Sequence, residues 1–259
     1  MTEIVFLGTG GALATRDRDN TAFLLRAGAV SALIDCPGSV LQKVVRAGTR
    51  PLDITDLFVT HIHPDHVYGL PSLVHGLMIY DHVLRLFGSA ETVEFCGRLL
   101  DLFGLRRAKY RTRVEFVALA PGEPAGLSDG VEVVGHRVPH HPSSLAFEFR
   151  LEGGRRKLLF SGDTPLDPAL FERAAGADLL CHDCAGPSRF FEEYPALASR
   201  HTSARDLGAW SGRAGVRTLA PCHFLAELDF PVAEVEAEIR AGYSGRLVLA
   251  ADLEGLTVP

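Results

Sequence analysis

The sequence predicts an α/β (α+β) protein in which sheets pack between helices, and three observations carry that prediction. Strand-like and helix-like apolar periods alternate along all 259 residues. The composition, 47% hydrophobic against 22% charged, suits a chain that buries a full core, and it excludes disorder and low complexity. No internal repeat and no Pro/Ser-rich linker divides the chain, so one domain over residues 1–259 is expected.

Taken in order, the elements begin with β-type runs at residues 3–7, 21–26 and 31–35. The last two are joined by Ala27-Gly28-Ala29, a hairpin connection. Ser39 follows as an N-cap, and Val40, Leu41, Val44 and Val45 mark one helical face that stops near Gly48. Residues 56–60 read as a short buried strand ending abruptly at a polar loop. Helical patterns are expected at residues 67–79 and 90–103, and strands at 114–119, 131–138, 145–151 and 157–161. The last third alternates strands at 178–181, 216–220 and 246–249 with helices at 204–214 and 233–241.

Bulk properties remove several function classes. The net charge of −6 argues against a surface built throughout for nucleic acid, although a local basic patch is compatible with it. Apolar stretches such as residues 70–80 are too short and interrupted to span a bilayer, so no membrane association is expected. The N-terminus opens directly on a strand pattern with no basic leader, which predicts no signal peptide and a cytoplasmic protein. Cys36, Cys96, Cys181, Cys184 and Cys222 are odd in number and scattered, a poor disulfide framework, and they read as small buried thiols.

Histidine placement is the main clue. His61-Ile62-His63-Pro64-Asp65-His66 puts four potential ligands in six residues at the end of an apolar strand. A loop there can converge imidazoles and carboxylate, and that donor set suits zinc, manganese or iron. His75, His82 and His136 have no ligand-type neighbours and read as core or surface residues. Gly8-Thr9-Gly10-Gly11 lacks the Lys-Ser/Thr of a phosphate loop and reads as a tight turn shaping the floor of a site.

His61-x-His63-x-Asp65-His66 resembles the metallo-β-lactamase superfamily of binuclear metallohydrolases. Val138-Pro139-His140, Ser161-Gly162-Asp163-Thr164 and Cys222-His223 sit where that superfamily carries its third histidine, bridging aspartate and last histidine. Residues 6–11, Arg18-Asp19-Asn20-Thr21, residues 177–183 and His201-Thr202-Ser203 resemble more narrowly the ribonuclease Z branch. The resemblance spans nearly the whole chain. It implies a four-layer αββα sandwich of the metallo-β-lactamase fold, with metals at one sheet edge and dimers common in the branch. Residues 70–80 offer the apolar segment for a homodimer.

The resemblance also implies a site with two divalent metal ions, Zn2+ first and Mn2+ or Fe as alternatives. His61, His63 and His140 would hold one ion, Asp65, His66 and His223 the other, and Asp163 would bridge them. His141 is the alternative to His140, since only one of two adjacent histidines faces the site; Leu145 and Ala146 fit the spacing expected after His140. Asp65, His201 and Asp183 form the implied catalytic set, with His201 as general acid and Asp183 as its acidic partner, where relatives usually carry Glu. His182 reads as structural or as a support behind the ligands.

The branch's tRNA-processing enzymes insert a long arm between the third histidine and the bridging aspartate. Here His140 and Asp163 are only 23 positions apart, so this is a short form and stable nucleic-acid binding is not expected. The resulting expectation is a phosphodiesterase acting on a small phosphodiester or nucleotide through a metal-bridging hydroxide. The alternatives are a sulfate, carboxylic ester or lactone hydrolase on the same metals, a tRNA 3′-processing endonuclease, and a non-catalytic metal-binding scaffold. Arg106, Arg107, Lys109, Arg111 and Arg113 read either as a solvated connection or as a patch steering phosphate toward the metals. Phe190, Phe191 and Tyr194 read as an aromatic wall of the site, as core or as a dimer contact.

Overall fold

A computed structural model describes residues 2–258. Six strands lead into a first sheet: β1 (Thr2–Gly8), β2 (Ala22–Ala27), β3 (Val30–Ile34), β4 (Asp56–Phe58), β5 (Val83–Gly88) and β6 (Arg113–Ala118). A second sheet follows: β7 (Pro124–Gly126), β8 (Glu132–Arg137), β9 (Leu145–Leu151), β10 (Arg156–Phe160), β11 (Leu179–Asp183), β12 (Thr218–Cys222) and β13 (Arg246–Leu247). Among the described residues the last strand, β14 (Gly255–Val258), returns to pair antiparallel with β1 and gives each sheet seven strands. Each sheet is antiparallel in one half and parallel in the other: β3 to β6 run parallel, as do β10 to β13.

Side chains sort by the two-residue period of the strands. Phe6, Phe23, Phe58, Phe147, Phe149 and Phe160 point between the sheets and form one core, in which the Phe58 ring lies 4.6 Å from Phe87 and 4.9 Å from Phe149. Their neighbours point outward. Leu24, Leu33 and Leu57 meet helices α1 (Val40–Arg46), α2 (Pro64–Val67), α3 (Leu70–Leu77) and α4 (Ala90–Leu102). Leu159, Leu180 and Leu219 meet α5 (Pro168–Arg173), α7 (Ala204–Arg213) and α8 (Val232–Arg240), with α6 (Ser188–Glu193) between α5 and α7 in sequence. The result is the expected αββα sandwich. All five cysteines are free and buried. Among the described residues no helix is long and apolar enough to cross a membrane.

The short elements β7, α5, α6 and β14 lie outside the expected runs, and two further departures have clear local reasons. The helix expected at residues 67–79 is two helices, broken at Tyr68-Gly69. A Cβ on Gly69 would fall on the Pro37 carbonyl oxygen, the Gly69 N–H donates to Cys36 at 2.7 Å, and Pro71 restarts the helix. Strand β5 was not foreseen, because Arg85 interrupts its apolar run; the Arg85 guanidinium is held by Asp56 at 2.6 Å.

Strand direction decides what meets what. The C-terminal ends of β1, β3, β4, β8, β10, β11 and β12 lie along one edge of the sandwich, the usual place for a site in a sheet with parallel strands. At the opposite edge, β9 and β10 are joined by a tight turn in which Glu152, Gly153 and Gly154 take positive φ.

Candidate metal centre

The loop after β4 delivers His61, His63, Asp65 and His66 to that edge, the last two from α2 with Pro64 at its first turn. His140 follows β8, Asp163 follows β10, and His223 follows β12 in a left-handed conformation at φ 65°. One ligand atom from each of His61, His63, His140 and Asp163 lies within 4.8 Å of the others, and so does one from each of Asp65, His66, Asp163 and His223. Asp163 belongs to both groups. His140, not His141, faces the cluster; the His141 Nδ1 is turned to the Ser143 hydroxyl at 2.8 Å.

In the first group, His61 Nε2 and His140 Nε2 approach His63 Nδ1 at 2.9 and 3.2 Å, and each lies 3.8 Å from Asp163 Oδ2. Their other nitrogens are committed as donors. His140 Nδ1 donates to the Arg200 carbonyl at 2.9 Å, and His61 Nδ1 donates to the Thr60 hydroxyl at 3.0 Å. Both Nε2 atoms therefore present lone pairs to one point, an arrangement that a cation relieves and that one His63 proton cannot. In the second group, His66 Nε2 lies 3.3 Å from both Asp65 and Asp163, yet it is buried without a hydrogen-bond partner. His223 Nε2 is 3.1 Å from Asp163 Oδ2. An orphaned imidazole nitrogen between two carboxylates fits a divalent cation. Burial works against the Asp163 charge, but His223, His66 and His61 hold its carboxyl well below the usual range.

A fully buried carboxylate that the sequence reading passed over fixes the ring orientations. Asp35, at the end of β3 with φ 64°, accepts the His66 Nδ1 proton at 2.7 Å and the Thr60 amide and hydroxyl at 2.8 to 3.0 Å. Thr60 in turn accepts from His61, so one carboxylate orients two imidazoles. The only local signal was an aspartate closing an apolar strand, which says nothing about what lies across the sheet.

His201 stands over both groups, its ring 5.4 Å from those of His140 and His223. Its Nδ1 donates to Asp183 Oδ2 at 2.9 Å, and the same oxygen accepts the Thr164 amide at 3.0 Å. The shorter aspartate thus reaches His201. Burial disfavours the imidazolium, but the Asp183 charge pushes the His201 pKa up to about 9. Gly11 lines the floor, where a Cβ would sit 3.5 Å from His223 Nε2 and collide with Leu225.

Other sequence expectations resolve here. His182 is buried and stacked on Phe171 at 5.1 Å; His82 bonds the Ile54 carbonyl; His136 pairs with Glu148 at 2.8 Å. Phe190 is no site wall: it is buried, packed on Phe230 at 6.0 Å, with the Arg189 guanidinium 4.0 Å over its ring. The basic residues 106–113 do not lead to the candidate ligands, because they precede β6, which runs parallel to β4 and β5, and so lie at the opposite end of the sheet.

Comparison with known proteins gives the fold and the family. The chain is similar to a curated ribonuclease Z of Mycobacterium bovis, 29% identical over 279 aligned positions that cover 100% of this chain and 99% of the relative. Its structure is similar to the metallo-β-lactamase fold protein YhfI from Bacillus subtilis, with a TM-score of 0.83, 18% identity and 98% of each chain covered. It is also similar to the short form of human tRNase Z, with a TM-score of 0.80, 19% identity and 99% of each chain covered. The fold is therefore the metallo-β-lactamase fold. Residues 2–203 match the family described as Anti-Pycsar protein Apyc1, and the chain belongs to that family.

Proposed function

We propose that this chain is a binuclear metal-dependent hydrolase that cleaves a small phosphodiester, a cyclic nucleotide being the leading case. The carrying observation is the convergence of seven ligand side chains in two groups that share Asp163, under a histidine held by a buried carboxylate. His61, His63 and His140 would hold one ion, and Asp65, His66 and His223 the other. Two divalent ions there would supply an activated water and neutralise charge developing on the phosphoryl oxygens. Asp35 and Thr60 keep His66 and His61 in the tautomers that leave Nε2 free. Asp183 fixes the His201 Nδ1 proton, so that Nε2 donates its proton to the leaving ester oxygen as the P–O bond breaks. Asp65 serves as ligand and as a carboxylate beside the reacting centre. The short hairpin between His140 and Asp163, with no arm, supports a small substrate.

The test is metal content together with rates on bis-p-nitrophenyl phosphate, a cyclic mononucleotide and p-nitrophenyl sulfate, before and after chelation. About two ions per chain and a phosphodiester rate that disappears on chelation and returns with Zn2+ or Mn2+ are expected. A rate on the sulfate alone would move the substrate class, and a diester rate insensitive to chelation would end the proposal. A second reading, cleavage of RNA near its 3′ end, is favoured by the full-length similarity to a protein named ribonuclease Z. Faster turnover of a 3′-extended tRNA precursor than of any small diester would select it.

A further inference from the structure

The end of the sandwich opposite the metal ligands carries five cations within residues 106–113, and the proposed reaction uses none of them. We propose that this end holds a second site, and that the site binds a nucleoside monophosphate. The loop precedes β6, so roughly 17 Å of strand separates it from the edge that carries His61. Two adjoining clefts open there, and Leu105 and Tyr110 line both.

The first cleft, about 400 Å³, presents Arg106, Arg107 and Arg113. Arg106 is committed to Asp101 at 2.8 Å and lies over the Phe116 ring. Among the described residues, Arg107, Lys109 and Arg113 have no carboxylate oxygen within 4.0 Å, although the chain as a whole is acidic. Like charges gathered in one short segment repel, and a phosphate would relieve that repulsion with charge-assisted hydrogen bonds. Glu115 lines the same cleft. Its carboxylate repels a bare anion but accepts hydroxyl or amino donors, which favours a ligand that carries both.

The second cleft, about 390 Å³, is walled by Phe103, His75 and Tyr110 against Pro71 and Ser72. Phe103 is 61% exposed, an unusual position for a large aromatic, and a stacked base would cover it. Lys109 Nζ sits 4.9 Å from the centre of the Tyr110 ring, so the aromatic wall adjoins the positive one. A basic half beside an aromatic half matches phosphate and base. A long RNA fits less well, because the cations are confined to eight residues of a chain with net charge −6.

Calorimetric titration of the metal-loaded protein with AMP, inorganic phosphate and a single-stranded RNA tests this. AMP binding by wild type should fall about tenfold or more in the Arg107→Ala/Arg113→Ala double variant, and about tenfold in Phe103→Ala. Rates on bis-p-nitrophenyl phosphate should stay unchanged in both variants, which assigns the loss to the remote clefts rather than to the metals. Titration reads binding without turnover, so failure of the hydrolase reading leaves it interpretable. Equal AMP isotherms in wild type and double variant overturn the proposal. So do inorganic phosphate binding as tightly as AMP, RNA affinity that exceeds that of AMP and grows with length, or a diester rate that falls with the arginines.

Discussion

The candidate ligands come from two regions built on different principles. Four of the seven lie in one six-residue loop after β4, where sequence neighbours become spatial neighbours. The other three, His140, Asp163 and His223, come from separate strand ends of the second sheet and meet only because β8, β10 and β12 point the same way. The first region is specified locally and the second by topology. A change in the loop should therefore stay local, whereas one at Asp163 should reach both groups.

The largest expected effect tests that difference. Asp163→Ala should lower kcat/KM by about a thousandfold or more and remove both ions, whereas His63→Ala should abolish activity while the second group keeps part of its metal. Parallel metal analysis and rates separate the two outcomes; equal metal loss would mean that the groups are one cooperative site. Next, His201→Ala should cut kcat by about a hundredfold on an alkyl diester, and much less on a nitrophenyl ester whose leaving group needs no proton, with metal content unchanged. Metal lost with His201 would make it a ligand instead.

Asp35→Ala should weaken metal affinity by about 10- to 100-fold and destabilise the fold by about 1–3 kcal/mol, because the Thr60 amide and the His66 Nδ1–H lose their acceptor. Chelator competition and thermal melts read both effects. The smallest effect lies away from the centre, on the outer face of the second sheet. There burial would raise the Glu148 carboxyl, yet hydrogen bonds from His136 and Arg150 hold it at about 2. A depressed carboxyl stabilises the fold above its unfolded value near 4.5, and that contribution fades as the pH falls from there toward 2. Melts of wild type and Glu148→Gln across that range should converge in acid; a constant gap would deny the linkage.

Legibility in the sequence follows the same division. The loop after β4 could be read from residue spacing alone, since all its information is local. His140, Asp163, His223 and the His201–Asp183 pair could be assigned only through resemblance, because nothing near Gly162 or Cys222 announces a partner tens of residues away. Asp35 escaped both routes: its hydrogen bonds to Thr60 and His66 exist only once β3 and β4 lie side by side in parallel. The basic loop was visible as composition but not as a place. Only the direction of β6 puts it far from the candidate ligands.

The turn between β9 and β10 has a practical consequence. Glu152, Gly153 and Gly154 already adopt the left-handed backbone, and nothing stands within 4 Å of where side chains on the two glycines would begin. Lengthening a surface connection raises its closure entropy only slowly. A compact reporter spliced between Gly153 and Gly154 would hang from the rim opposite the reactive edge, on the hairpin that joins the strand after His140 to the strand before Asp163. The molecule thus offers a natural port for a fluorescent or affinity module that travels with the second sheet.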